Sequence, residues 1–189
     1  MEIKDCIGIY KNCLSPQQVS AFIRFFKEKD FKPSSIIRPN GEQVVDTTNR
    51  CVEDYNIDLE KSITETHWYQ YIKRRMFLVY QKYREDKKIL PQVHDTQEIT
   101  LLKYSAGGFY KVHVDSSAKI PREISVIIFL NNDYEGGHLH FYDTEHKKII
   151  LDIKPEIGTM VIWPSSFLFP HAAAPTTKGT RFVIVSWLS

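Results

Sequence analysis

The chain is poor in cysteine: Cys6, Cys13 and Cys51 are the three it has among 189 residues, and none is spaced as CxxC. That excludes a disulfide framework and a zinc knuckle, and it fits a reducing, cytoplasmic compartment. Long apolar runs are missing too. The longest, Val126 to Leu130, falls far short of the roughly 20 residues that a bilayer span needs. The opening MEIKDCIGIYKNC carries acidic side chains and no apolar stretch, unlike a secretory leader. Net charge is nearly absent, with 25 Lys+Arg against 23 Asp+Glu. No electrostatic footprint for duplex nucleic acid or an anionic membrane follows from that balance. Neither GxGxxG nor a Walker sequence occurs, so no nucleotide site is indicated. Repeats and low-complexity segments are also lacking. What the chain does have is aromatic residues: 11 Phe, 10 Tyr and 3 Trp, or 13% of the sequence. These are core material for a sandwich or barrel, and the length is that of one domain.

Two helices are expected first. Ser15-Pro16-Gln17-Gln18 supplies an N-cap, a proline at the first helical position and a glutamine at N3. Val19, Phe22, Ile23 and Phe26 then recur at helical spacing, with Arg24, Lys27 and Glu28 on the other side. Residues 33–56, with Pro33, Pro39 and Gly41, read as loop with one short extended piece at Val44-Val45. A second helix starts between Asp58 and Ser62, where Ser62 and Glu65 are spaced as a capping box, and runs to about Glu85. Its stripe of Tyr69, Ile72, Met76, Val79, Tyr80 and Tyr83 is expected to pack on a sheet.

From Glu98 the period shortens. ITLLKYS, FYKVHVD, EISVIIFLN, GHLHFYD, KIILDI, GTMVIWP, FLFPHAA and TRFVIVSW are eight β-rich runs separated by turn residues. No helix alternates with them, which rules out a doubly wound parallel sheet and favours an antiparallel jelly roll. EISVIIFLN is apolar on both faces, so both need cover, and the helices are placed on one of them. Residues 1–97 are thus expected to form a helical support and 98–189 the β core, together one domain.

Candidate chemistry begins at His113-Val114-Asp115. In an extended strand, residues two apart share a face, so an imidazole and a carboxylate converge. A distant second histidine would complete the two-His, one-carboxylate triad of non-haem iron sites. Such a pair also arises often by chance, and its context decides. That context is His171 in FLFPHAAAPTTKGTRFVIVSW, followed ten residues later by Arg181 at the head of the last strand. Arg181, Val183, Val185 and Trp187 share a face, which favours burial of the arginine as a carboxylate clamp. Each charge-assisted hydrogen bond in such a clamp contributes about 1.5–3 kcal/mol.

Here the sequence resembles the prolyl 4-hydroxylase-like branch of the Fe(II)/2-oxoglutarate dioxygenases. The likeness runs from LLKYSAGGFYKVHVD through REISVIIFLN and DYEGGHLHFYD to KPEIGTMVIWPSSFLFPHAAAPTTKGTRFVIVSW. It implies a double-stranded β-helix with supporting N-terminal helices, with Fe(II) on His113, Asp115 and His171. It further implies that Arg181 holds the distal carboxylate of 2-oxoglutarate, helped by the Tyr104 phenol. Tyr110, Arg122 and Trp187 occupy positions where relatives contact substrate. Conversion of 2-oxoglutarate and O2 to succinate and CO2 would accompany hydroxylation of a C–H bond, with ascorbate as reductant. Many relatives carry Lys in place of Arg181, and some carry a Tyr or Thr where this chain has Phe129 and Leu139. The second partner of the carboxylate is therefore sought in Tyr104 or Ser125. Tyr110 reaches the face of His113 only if its strand twists or bulges. Arg122, after Pro121, is equally readable as a solvated loop charge. His138 and His140 face outward in this frame, His146 lies in a charged turn, His67 in a helix and His94 in a loop, and none is assigned to the iron.

The leading expectation is a hydroxylase of proline in a peptide or protein. A free amino acid or small metabolite is the nearest alternative substrate, and a non-catalytic jelly-roll binding module the alternative of another class. Nucleic acid and membrane are not expected partners. A compact chain of this kind suits the cytosol of a bacterium or of the host of a bacterial virus.

Overall fold

The computed structural model describes residues 2–38, 41–88 and 92–189. After a short 3-10 turn at Ile3–Cys6 come β1 (Gly8–Tyr10) and α1 (Pro16–Phe26), then the short strands β2 (Lys32–Pro33), β3 (Ile36–Ile37), β4 (Gln43–Val44), β5 (Arg50–Cys51) and β6 (Glu53–Asn56). The long helix α2 (Ile63–Lys87) leads into β7 (Thr96–Tyr104), β8 (Phe109–His113) and β9 (Ile124–Phe129). The chain continues through β10 (Glu135–Gly136), β11 (Leu139–Tyr142), β12 (Ile149–Ile153), β13 (Met160–Pro164), β14 (His171–Ala173), β15 (Thr176–Lys178) and β16 (Arg181–Leu188). All eight expected β runs form strands.

Two sheets face each other. The larger has the order β1-β13-β9-β16-β7-β6-β2 and the smaller β12-β11-β14-β8-β5. Every residue of β9 is buried, as its two-sided hydrophobicity requires. Ile124, Val126 and Ile128 meet the helices in a core with Phe22, Phe26, Ile72 and Met76. Ile127 and Phe129 point the other way, into the space between the sheets, with Phe141, Val161 and Val183. Burying each such side chain contributes about 1.5–3 kcal/mol, which makes this central strand the spine shared by both cores.

The first helix begins as expected: the Ser15 hydroxyl accepts from the Gln18 amide, and the Gln18 side chain accepts from the Ser15 amide. At α2 only half of the expected box is present. Ser62 accepts from the Glu65 amide, but the Glu65 carboxylate turns away from the cap. It is 1% exposed and engaged by Lys29 Nζ at 2.8 Å and by the Tyr55 hydroxyl at 2.9 and 3.0 Å. This pairing ties α2 to β6 and to the turn after α1. Residues 33–56 also depart from the loop expectation. Glu53–Asn56 pairs with β7 on one side and β2 on the other, Arg50–Cys51 pairs with β8, and Ile36–Ile37 forms a hairpin with Gln43–Val44. These strands are only two to four residues long, too short to show the apolar alternation that marks a strand in sequence.

Burial alone would raise the Glu65 carboxyl, but the Lys29 ammonium and Tyr55 hydroxyl outweigh it and hold the group below the usual carboxylate range. The stability it adds is therefore present at neutral pH and is lost as pH falls through the depressed folded-state value. Glu65→Gln is expected to cost about 2–3 kcal/mol at neutral pH and to reduce the further loss on acidification. Urea midpoints at neutral and acid pH check this; identical acid sensitivity in the two proteins would contradict it.

Candidate active site

Two strand ends and the segment after one of them build the site. His113 closes β8, Asp115 follows two residues later, and His171 opens β14. His171 is the direct register partner of His113, so pairing of the two strands sets the imidazoles side by side, with ring centroids 4.3 Å apart. Nε2 of His113 lies 3.7 Å from Asp115 Oδ1, and Nε2 of His171 lies 3.5 Å from Oδ2. One ligand atom from each of the three residues falls within a 4.8 Å cluster. On the far side of each ring, Nδ1 meets a backbone carbonyl: Lys111 O at 2.8 Å for His113 and Phe169 O at 3.1 Å for His171. A carbonyl only accepts, so both Nδ1 atoms carry the proton and both Nε2 lone pairs face the centre. The Ser125 hydroxyl donates to Asp115 Oδ2 at 2.6 Å and also contacts the Ser165 hydroxyl. Burial would raise the Asp115 carboxyl, yet His171, His113 and Ser125 together hold it below its ordinary value. Burial, reinforced by His171, pushes His113 down to about 3. Two neutral imidazoles and one carboxylate form a donor set suited to a divalent iron.

Behind the imidazoles, Trp163 and Phe141 lie 4.9 and 5.7 Å from the His171 ring and form an apolar wall. Tyr110 stacks on His113 at 3.6 Å and 16°. Its placement comes from a bulge in β8. Across the three residues from Tyr110 to His113, β14 advances by only two, from Ala173 to His171, which returns Tyr110 to the histidine face.

A cavity of about 790 Å³ runs from this cluster to Arg181. Arg181 is 0% exposed, and none of its three guanidinium nitrogens has a hydrogen-bond partner among the described residues. Its carbon lies 4.5 Å from the centre of the Tyr104 ring, its register partner, and 5.7 Å from that of Phe129. An uncompensated buried charge costs several kcal/mol, so the cradle fits an anion that the folded chain does not itself supply. Two further buried oxygens, Tyr134 Oη and Thr176 Oγ1, also lack partners. Burial pushes the Tyr134 phenol up to about 12 while Arg181 draws it back, although the two do not meet in hydrogen-bond geometry. Gly137 holds this group together. At φ +65, a Cβ there would stand 2.9 Å from both Arg181 Cδ and the Tyr134 ring and 3.2 Å from Thr176 Oγ1.

The expectation for Ser125 is corrected. Ser125 pairs with Trp187, six positions along β16 from Arg181 and so about 20 Å away along the strand, and its hydroxyl serves Asp115. Arg122 is not a solvated loop charge. Its guanidinium stacks on Trp187 at 3.3 Å from the ring centre and bonds Glu98 Oε1 at 3.3 Å, at the mouth of the cavity. The sequence reading missed Tyr134 and Thr176; an aromatic before Gly-Gly and a threonine after Pro175 carry no signal apart from their partner. His67, His94 and His146 take no part in the cluster.

The fold is thus a double-stranded β-helix with a His-X-Asp…His cluster between its sheets. Residues 99–189 match the model of the 2OG-Fe(II) oxygenase superfamily. The match takes in just under half of the chain, and the double-stranded β-helix and the His113, Asp115 and His171 cluster lie in the form that a 2OG-Fe(II) oxygenase of this superfamily requires. Human prolyl 3-hydroxylase 2 is 32% identical over 68 residues, covering 36% of this chain and 10% of that protein. The chain therefore spans about a tenth of the length of the curated relatives it matches. Among solved structures, a prolyl hydroxylase from Trichoplax adhaerens in complex with a hypoxia inducible factor peptide fragment superposes with a TM-score of 0.73 at 17% identity, covering 97% of this chain and 83% of that one. A Pseudomonas putida prolyl-4-hydroxylase gives 0.69 at 19% identity, covering 97% and 92%. At these identities the likeness is one of fold. Among the described residues no helix is long and apolar enough to cross a membrane.

In metal-free protein, His113 is expected to stay neutral and Nδ1-protonated from neutral into mildly acid solution, because burial depresses its pKa. Long-range ¹H–¹⁵N spectra check the tautomer directly; an imidazolium at mildly acid pH would contradict the geometry.

Proposed function

We propose that the chain hydroxylates proline within a peptide or protein, using His113, Asp115 and His171 to hold Fe(II) and Arg181 to hold the distal carboxylate of 2-oxoglutarate. The observation that carries the reading is the buried, unpartnered Arg181 at one end of a cavity whose other end is the His2Asp cluster. When bound, Fe(II), 2-oxoglutarate and O2 supply one oxygen atom to a substrate C–H bond as 2-oxoglutarate becomes succinate and CO2. The chain's own residues do the rest. The carbonyls of Lys111 and Phe169 fix the histidine tautomers, and Ser125 steadies the Asp115 carboxylate. Tyr104 supports the guanidinium from one side, and Tyr134 and Thr176 offer hydroxyls beside it. Trp163 and Phe141 keep water from the inner wall.

Several features favour a peptide. The cavity opens beside the β3–β4 hairpin, where Ile36 and Ile37 line it, and Ile37 is half exposed. The Arg122–Trp187 stack at the mouth offers an aromatic face for a pyrrolidine ring and a cation for a backbone carbonyl. A free amino acid would need a carboxylate for its ammonium group. The lining carboxylates other than Asp115 are Glu98 and Asp54, already bonded to Arg122 and Ser34. The Trichoplax relative, solved with a peptide, lends the reading support.

Replacing His113, Asp115 or His171 with Ala is expected to abolish succinate formation, because a facial triad has no spare ligand. Arg181→Ala should raise the 2-oxoglutarate requirement far more than that for Fe(II), and Arg181→Lys should keep part of the activity. Gly137→Ala, by displacing Arg181, should act in the same direction more weakly. Steady-state titrations of each cosubstrate check this; equal losses for both would point to misfolding.

On substrate, mass spectrometry is expected to show one added oxygen on the proline of a Pro-rich or Pro-Ala peptide and none on free L-proline. Trp187→Ala and Arg122→Ala should lose that product while keeping slow uncoupled 2-oxoglutarate decarboxylation. Hydroxylation of free proline without any peptide product would replace this reading with the metabolite one.

A further inference from the structure

A second cluster with the same donor composition lies on the outer face of the smaller sheet. His138 immediately precedes β11 and His140 lies on it, two residues apart and therefore on one face. Leu139 between them turns inward and lines the catalytic cavity. Asp152 on β12 is the direct register partner of His140. His138 Nδ1 lies 2.8 Å from Asp152 Oδ1, and His140 Nε2 lies 3.4 Å from the same oxygen. One donor atom from each residue falls within 4.8 Å of the others.

Both imidazoles address a single carboxylate oxygen. His138 at 2.8 Å is the closer partner of that oxygen and His140 at 3.4 Å the weaker. A cation held between the three donors satisfies all of them. In a tetrahedral site with metal–ligand bonds of about 2.0–2.2 Å, ligand atoms stand about 3.3–3.6 Å apart; the His140–Asp152 separation of 3.4 Å lies in that range, and the His138–Asp152 separation of 2.8 Å reaches it with a small rotation of the half-exposed carboxylate. The Asp152 side chain is about half exposed and those of the histidines less so, which leaves one side open to water as further ligands.

We propose that His138, His140 and Asp152 form a second, surface metal site for a divalent transition ion, with Zn²⁺ the best fit and Fe(II) or Co²⁺ able to enter the same N2O donor set. The site is independent of the catalytic cluster, because its side chains leave the sheet on the opposite face from Leu139 and Phe141. It clamps β11 to β12, and β11 in turn pairs with β14, where Phe141 is the register partner of His171. Binding there stiffens the sheet that carries both histidines of the catalytic cluster, and iron supplied in excess loads beyond one ion per chain.

Titration with Co²⁺, followed by visible absorption, and with Zn²⁺, followed by calorimetry, tests this. Wild-type protein is expected to bind two equivalents. Asp152→Asn should bind one and retain succinate production. The double variant His113→Ala/Asp115→Ala should keep one equivalent and gain thermal stability from it, and adding His140→Ala should remove that equivalent. If Asp152→Asn binds as many equivalents as wild type, or if the folded double variant binds neither ion, the cluster is only a histidine–carboxylate ion pair.

Discussion

The Arg181 guanidinium lies wholly inside the protein with none of its nitrogens hydrogen-bonded among the described residues, and much of the architecture exists to make that tolerable. Its charge rests against the faces of Tyr104 and Phe129, which provide partial compensation through their ring electrons. Such contacts recover only part of the cost of desolvating a cation. An anion entering the cavity would supply the remainder, which is the role proposed for the distal carboxylate of 2-oxoglutarate. Two glycines make the arrangement possible. Gly136 brings β10 so close to Pro175 that a Cβ would stand 2.3 Å from its carbonyl oxygen, and Gly137 leaves room for the arginine stem.

Strand register does the other half of the work. Arg181 faces Tyr104 across one ladder, and His171 faces His113 across another. The two ladders belong to opposite sheets, and the apolar side chains between those sheets fix the distance from the histidine pair to the arginine. A bulge in β8 adds Tyr110 to the histidine face, and the seryl pair of Ser125 and Ser165 anchors Asp115 from the larger sheet. Outside this sandwich, the helices cover the second face of the larger sheet, where residues of β7, β9, β13 and β16 share one core with them.

Much of this was legible in sequence, for identifiable reasons. The eight β runs announce themselves by alternation and turn residues, and α1 by its capping residues. The residues that the fold gathers into the His113, Asp115 and His171 cluster, and Arg181 with them, stand in an ordered set of motifs. The face of Trp187 followed from counting by twos along β16. What escaped the sequence depended on contacts without periodicity. Glu53–Asn56 is a short, mostly polar strand between β7 and β2, held by its neighbours rather than by its own pattern. Ser125 was placed beside the carboxylate clamp, whereas the ladder sets it at the far end of β16, against Asp115. Tyr134 and Thr176 come to Arg181 through the tight Gly136-Gly137 turn, which a linear reading cannot close. The order of the motifs also gave no hint that the outward-facing His138 and His140 would meet Asp152.

The central claim is that Arg181 is kept for one carboxylate of 2-oxoglutarate, and a thermodynamic cycle between ligand and side chain tests it most directly. Calorimetry of Mn²⁺-loaded protein under argon would compare 2-oxoglutarate with 2-oxobutyrate, which has the 2-oxo acid group but no distal carboxylate. Wild type is expected to favour 2-oxoglutarate by at least about tenfold, the equivalent of one charge-assisted hydrogen bond. Arg181→Ala should bind the two ligands nearly equally. If the variant discriminates between them as strongly as wild type does, the buried guanidinium serves some other purpose and the account fails.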